Sequence, residues 1–187
     1  MKERILVTGG TGYIGSPTGV EIQNSGYEVV IVDNLSNSRA DVVDHIEQIT
    51  GIRPAFEHVD CLDYEGMDAV FKKYPGIKGV IHFAASKAVG ESVQKPLLYY
   101  RNNLVSLINL LELMPKHNVG GIIFSSSCTV YGQPDVLPVT EAAPIKKAES
   151  PYGNTKQVNE EIVRDTVASG APINAILLRY FNPIGAH

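Results

Sequence analysis

The chain has 187 residues, with 16 Lys+Arg against 20 Asp+Glu and a formal charge of −4. That length suits one domain, and the mild acidic excess argues against a nucleic-acid groove or an anionic membrane surface as the main partner. Hydrophobic residues make up 44% and charged ones 19%, a core-forming composition without an apolar run long enough for a bilayer. The start, Met1-Lys2-Glu3-Arg4, is not a signal peptide, and Cys61 and Cys128 have no Cys or His at metal-ligand spacing. A cytoplasmic protein with no disulfide framework and no metal site is expected.

Strand-like and helix-like runs alternate along the whole length. Arg4–Thr8 is β-branched and bounded by glycine, so it reads as a buried strand. Helix follows from about Gly12 to Ser25 and stops at Gly26. Glu28–Asp33 is a second buried strand, and Arg39–Thr50 a helix with Val42, Val43, Ile46 and Ile49 on one stripe, ended by Gly51. Ala55–Val59 predicts a third strand, and Tyr64–Tyr74 a helix that turns Met67, Val70 and Phe71 inward. Gly79–Phe83 is a fourth strand, Pro96–Lys116 a long helix and Gly121–Ser126 a fifth strand. After a Pro-rich loop from Gln133 to Pro144, helix returns over Tyr152–Ala168 and a sixth strand spans Ile173–Tyr180. Six strands, each read as covered on both faces and separated by helices, give an α/β fold with a doubly wound parallel sheet of the Rossmann type over residues 1–187.

Between the first strand and first helix stand Gly9, Gly12 and Gly15 in the spacing G-x-x-G-x-x-G, a relative of the dinucleotide fingerprint. Gly9 permits a tight turn, Gly12 lets backbone approach a pyrophosphate, and Gly15 lets the helix pack close while its free N–H groups face the phosphates. Taken alone, such a triplet is as readily an ordinary turn; its place after a strand and before a helix favours a dinucleotide. Asp33 ends the next strand, eighteen positions past Gly15. A carboxylate there accepts from ribose hydroxyls and repels a 2′-phosphate, which favours NAD over NADP, although Asp33 also suits a plain turn and Arg39 is a mild counter-argument.

Tyr152 and Lys156 stand four apart at a predicted helix start, so both lie on one face. A free phenol has a pKa of about 10, and bringing it to neutrality takes roughly 4 kcal/mol of preference for the anion. An ammonium one turn away and a bound nicotinamide cation are expected to supply this, making Tyr152 a general base for a sugar hydroxyl. Such a pair is often accidental on a surface; downstream of the glycine loop, and after Ser125-Ser126-Ser127, it reads as chemistry, with Ser127 bonding the same hydroxyl. His45, His58 and His117 read as surface residues, His82 as a satisfied core histidine and Cys128 as unactivated.

These residues resemble the extended short-chain dehydrogenase/reductase superfamily and, within it, the UDP-glucose 4-epimerases. The motifs are VTGGTGYIGS, VDNLSNS, HFAASKAVGESVQKPLLYY, NNL, FSSSCTVYG, SPYGNTK and LLRYFNPIGAH, running from Arg4 to His187. The resemblance implies that Tyr13 and Ile14 meet the pyrophosphate of NAD while Asp33, Asn34, Leu35, Ser36, Asn37 and Ser38 hold the adenosine ribose. Asp60 and Cys61 flank the adenine. Phe83, Ala84, Ala85, Ser86 and Lys87 line the cofactor, with Asn102 beneath them. Ser127, Tyr152 and Lys156 form the catalytic triad, Phe181 abuts the nicotinamide and Asn182 reaches a UDP-sugar. The implied reaction inverts C4 of the sugar through a transient 4-keto intermediate.

Family members carry a second, substrate-gripping domain after Asn-Pro-x-Gly-Ala-His, so this chain reads as the cofactor-binding portion, with weak NAD binding and little turnover alone. The long helices imply a homodimer interface. A sugar-nucleotide 4,6-dehydratase is disfavoured because Cys128-Thr129 stands where that reaction needs an Asp-Glu pair. A non-catalytic NAD-sensing module needs no Ser127, Tyr152 or Lys156. Pro17 stands where members usually have histidine; with Gly19 it is expected to weaken the phosphate-binding helix.

Overall fold

A computed structural model describes residues 3–185; Met1, Lys2, Ala186 and His187 of the domain expected over 1–187 lie outside the described residues. The strands are β1 (Arg4–Thr8), β2 (Glu28–Asp33), β3 (Ala55–His58), β4 (Ile77–His82), β5 (Gly121–Ser127) and β6 (Asn174–Tyr180). They form one sheet in the order β3-β2-β1-β4-β5-β6, every pairing parallel. The helices are α1 (Gly15–Asn24), α2 (Val42–Thr50), α3 (Tyr64–Lys73), α4 (Val89–Gln94), α5 (Pro96–Lys116) and α6 (Pro151–Ala168). Right-handed crossovers carry the chain outward from β1 in one direction and outward from β4 in the other, so the helices divide between the two faces and the order reverses between β1 and β4.

The larger core lies under α3, α5 and α6. There Leu6, Val30, Val80, Ile122 and Phe124 of the sheet meet Met67, Phe71, Leu107, Leu110, Met114 and Val163. On the opposite face Val7, Val29 and Ile31 meet Val20 of α1 and Ile46 of α2. That second layer stops short of the β4–β6 half of the sheet. An open apolar groove there is lined by Ile81, Ile123 and Ile176 beside Ile22, with α1 the only described helix along it.

Most predicted elements stand within a few residues of their expected bounds. Two expectations are corrected, and one helix is added. The sixth strand is not covered on both faces: β6 is an edge, its residues alternate between exposed and half-buried, and Ile176 is 56% exposed. Ile49 is 52% exposed, although Val43 and Ile46 on the same expected stripe are buried; helix α2 begins at Val42 rather than Arg39 and buries only those two residues. Helix α4 escaped notice because its six residues, Val-Gly-Glu-Ser-Val-Gln, carry poor helix formers and no periodicity. Lys95 separates it from α5 because a residue before proline is pushed out of the helical region, and Lys95 sits at φ −129 and ψ 57.

Pro17 disturbs α1 less than expected. Helix α1 starts at Gly15, so Pro17 falls in the first turn, where proline is tolerated. Bonds from Ser16 N to Gly12 O and from Thr18 N to Ile14 O bracket the one it cannot make. Gly19 has ordinary helical geometry, and a Cβ there would meet Ile46 Cδ1 at 3.7 Å and Val29 Cγ1 at 4.0 Å, both comfortable contacts. Gly15 is the reverse case, because its Cβ would come within 2.2 Å of the Gly9 carbonyl oxygen. Gly19→Ala should therefore raise stability by about 0.5–1 kcal/mol and Gly15→Ala should lower it. Melting curves of the two variants check this, and a fall for Gly19→Ala would contradict it.

Candidate functional site

The carboxyl ends of the strands, where the order reverses, surround a cleft of about 640 Å³. Its floor begins at the glycine loop. Gly9 donates its N–H to Val32 O at 2.8 Å, and Phe83 donates to Thr8 O at 3.0 Å, so the chain leaving β1 is tied to both neighbouring strands. Gly9 has φ +67, and a Cβ there would lie 2.7 Å from Ala84 N, so only glycine fits. The need at Gly15 differs from the expectation: its missing side chain makes room for the carbonyl of Gly9 rather than for the sheet. Helix α1 has neither a side-chain cap nor an acidic residue in its first turn. By contrast, Asp63 caps α3 through Gly66 N, and Ser150 caps α6 through Gly153 N. The α1 terminus thus keeps its positive end facing the cleft, the arrangement that takes a phosphate.

At the end of β2 the Asp33 carboxylate is held by three donors: Thr11 N at 3.2 Å, Leu35 N at 2.9 Å and Ser38 Oγ at 3.0 Å. Thr11 was not singled out from sequence, and it also donates its hydroxyl to Ser38 at 2.8 Å. Leu35 and Ser38 do not line the cleft, contrary to expectation; they brace Asp33 from behind, Leu35 in the left-handed region at φ +57. Asn34, Ser36, Asn37, Asp60 and Cys61 do line it, and Asn34 donates to Asp60 at 2.9 Å. Burial pushes the Cys61 thiol up to about 12, so it packs as a small neutral group. Arg39 points away: its side chain is 82% exposed and doubly bonded to Asp41, at 3.2 and 2.7 Å.

After β4, residues Phe83 to Lys87 form one wall. Asn102 donates to Ser86 Oγ at 3.1 Å, while buried Asn103 donates to Ser86 O at 2.9 Å and Thr155 Oγ1 at 3.0 Å. Asn103 thereby ties this wall to α6; nothing in the sequence separates it from Asn102.

Ser127, Tyr152 and Lys156 come together at the opposite end, with Phe181 and Asn182 alongside. Ser127 accepts from Thr129 N at 3.2 Å, capping a 3-10 turn over Cys128–Tyr131 that the sequence did not reveal. Lys156 is buried, donates to Ser125 O at 2.6 Å and lies 4.9 Å from the Phe124 ring centre and 5.9 Å from that of Tyr152. Burial brings it down to about 8, so it remains mostly charged at pH 7. Burial raises Tyr152 above the usual phenol value, a hydrogen bond with Ser127 works against the rise and Cys128 adds to it. Burial outweighs the nearby ammonium, which does not bring Tyr152 below the usual phenol value by itself.

The only carboxylates among the described lining residues, Asp33 and Asp60, lie at the β2–β3 end, and Cys128 and Thr129 sit beside Tyr152.

A family model for the NAD dependent epimerase/dehydratase family matches residues 5–187. The chain belongs to that family. A UDP-glucose 4-epimerase of Dictyostelium discoideum is 51% identical over 187 residues, and one of Bacillus subtilis 53% identical over 183. The match takes in 100% and 98% of this chain but 54% and 53% of those proteins, so the chain spans about half the length of the curated relatives. A crystal structure of the Bifidobacterium longum UDP-glucose 4-epimerase in complex with NAD+ and UDP superposes with a TM-score of 0.95 at 49% identity, over 98% of this chain and 55% of that one.

In this family member His82 stands behind the cleft wall. It is 2% exposed, bonds Thr8 Oγ1 through Nδ1 at 2.7 Å and stacks on Phe124 at 6.0 Å. Burial, with the Lys156 charge adding to it, brings its pKa down from 6.5 to about 3. Below pH 6.5 the unfolded chain takes a proton that the folded chain refuses, so stability present above that pH is lost as pH falls. Between pH 6.5 and 5, before carboxylates titrate, this loss is limited to about 2 kcal/mol. Unfolding free energies of the parent and His82→Asn across that window check it: the variant should show a flatter slope, and equal slopes would contradict the assignment.

Proposed function

We propose that this chain holds NAD in the cleft and forms the cofactor-binding part of a UDP-glucose 4-epimerase, interconverting UDP-glucose and UDP-galactose. The observation that carries it is the convergence of Ser127, Tyr152 and Lys156 on one end of a cleft whose other end offers an uncapped helix terminus, a glycine floor and a braced Asp33. The cradle fits a dinucleotide by elimination of side chains: a Cβ at Gly9 or Gly15 would collide with backbone, and at Gly12 it would stand 3.1 Å from the Gly9 carbonyl oxygen. Asp33 has carboxylate capacity left for ribose hydroxyls, and Arg39 is turned away, which suits NAD over NADP.

NAD, when bound, supplies a positive ring and the reversible hydride store through which C4 of the sugar is inverted. The chain's own residues handle the proton. Tyr152 Oη takes it from the 4-hydroxyl and returns it, with Ser127 holding both oxygens in line. Lys156 keeps a positive charge beneath the phenol, fixed by Ser125. Burial holds Tyr152 above the usual phenol value, so the positive nicotinamide ring would supply part of the preference for the anion. The lack of a carboxylate beside Cys128 and Thr129 speaks against a 4,6-dehydratase, and the assembled Ser127, Tyr152 and Lys156 speak against a bare NAD sensor. Exposed Leu97, Leu98, Val105 and Ile108 along α5 support pairing of two copies through the long helices. No described helix is long and apolar enough to cross a membrane.

Calorimetric titration should show NAD binding at least ten-fold tighter than NADP, and Asp33→Asn should shrink that ratio; equal affinities would contradict the Asp33 role. In the chain extended to its relatives' length, Tyr152→Phe should lower turnover of UDP-galactose by about 10²–10⁴-fold with NAD affinity within a few-fold of the parent. A variant that keeps full turnover would remove Tyr152 from the reaction.

A further inference from the structure

Glu160 is the most deeply buried carboxylate in the described chain and has no part in the chemistry above. Its side chain is 1% exposed. All its lone pairs are occupied: Oε1 accepts from Ser126 Oγ at 2.6 Å and Arg179 Nε at 2.9 Å, and Oε2 accepts from Arg179 Nη2 at 2.8 Å and Arg164 Nη2 at 2.8 Å. Arg179, in turn, lies 4.7 Å from the Tyr131 ring centre.

Three consecutive residues of β5 hold three residues at four-residue spacing on α6. Ser127 lies beside Tyr152 in the cleft, the Ser125 carbonyl accepts from Lys156, and the Ser126 hydroxyl donates to Glu160. Tyr152, Lys156 and Glu160 therefore form one stripe, two turns long, facing the strand. The first two contacts involve groups that must stay available for a reaction. The third is a closed knot, and through Arg179 it also fastens β6 two residues before Phe181. The Glu160 charge is paired with the two arginines, so what it offers α6 is a fixed position.

We propose that Glu160 is a positioning residue: by locking α6 to Ser126 and Arg179 it fixes the register that sets the Tyr152 hydroxyl against Ser127 above the Lys156 ammonium. This rests on Tyr152 serving as the base. A purely stabilising ion pair would behave differently, since its loss would lower the melting temperature and leave the titration of Tyr152 where it was.

The test uses this chain labelled with [13Cζ]tyrosine, the Tyr152 signal assigned by Tyr152→Phe, titrated by NMR with and without saturating NAD. In the parent, NAD should bring the Tyr152 midpoint below its cofactor-free value. Glu160→Gln, which preserves size but cannot accept from both arginines and Ser126, should move the NAD-loaded midpoint upward by at least one pH unit, with NAD affinity within three-fold of the parent. Ser126→Ala cuts only the link to the strand and should move it in the same direction, so the inference stays testable if Glu160→Gln fails to fold. Arg164→Met, which removes a contact within α6, should leave it in place. Midpoints within 0.3 pH units of the parent for folded Glu160→Gln or Ser126→Ala would overturn the positioning role while leaving Tyr152 as the base. A parent midpoint that NAD does not lower would overturn Tyr152 as the base, and this inference with it.

Discussion

Where the chain leaves β1, the backbone of Gly9 runs so close to Ala84 that a single methyl group would lie 2.7 Å from an amide nitrogen. Two parallel strands diverge from that point, one neighbour leading to Asp33 and the other to Phe83. The close approach decides the shape of the cleft: it draws the loops after β1 and β4 into one floor, and it aims α1 at the middle of the sheet edge. Asp33, Asp60 and the α5 asparagines then fall on one side, and Ser127, Tyr152 and Phe181 on the other. The rest of the site inherits its geometry from a contact that contains no side chain.

The charges are distributed to match. Phosphate-binding capacity comes from backbone dipoles, which need no counter-charge and remain fixed whether or not a ligand is present. Two of the buried charged side chains, Lys156 and Glu160, meet instead at the β5–α6 seam, where each is hydrogen-bonded to the strand, while Asp33 is held at the end of β2. Buried charges left unpaired are costly, whereas paired ones specify a single arrangement of the groups that carry them. A phenol raised by burial sits at the top of this seam.

Periodicity and glycine placement made the sheet legible because parallel strands covered by helices must be apolar runs, and because helix stops such as Gly51, at φ +73, leave a visible mark. The glycine loop, Asp33 and the Tyr152–Lys156 pair could be read since each has a fixed place relative to a strand end. What escaped has a common cause: the sequence shows residue types and not the directions in which they point. Leu35 and Ser38 lie within the expected run yet turn behind Asp33, Arg39 pairs outward with Asp41, and Ile49 faces water. The edge character of β6 depends on which neighbours it has, and the rise of Tyr152 depends on how the fold buries its phenol. The knot at Glu160 joins positions 126, 160 and 179, too far apart for any spacing rule.

The most direct check of the account is the map of backbone amide shifts in a 15N-labelled sample as NAD is added. The largest changes should fall on Tyr13, Ile14 and Gly15, on Asp33 through Asn37, and on Phe83 through Ser86, marking one continuous ligand from the glycine floor toward Tyr152. No change at millimolar NAD, or changes confined to Ile123 and Ile176 on the open face of the sheet, would contradict it.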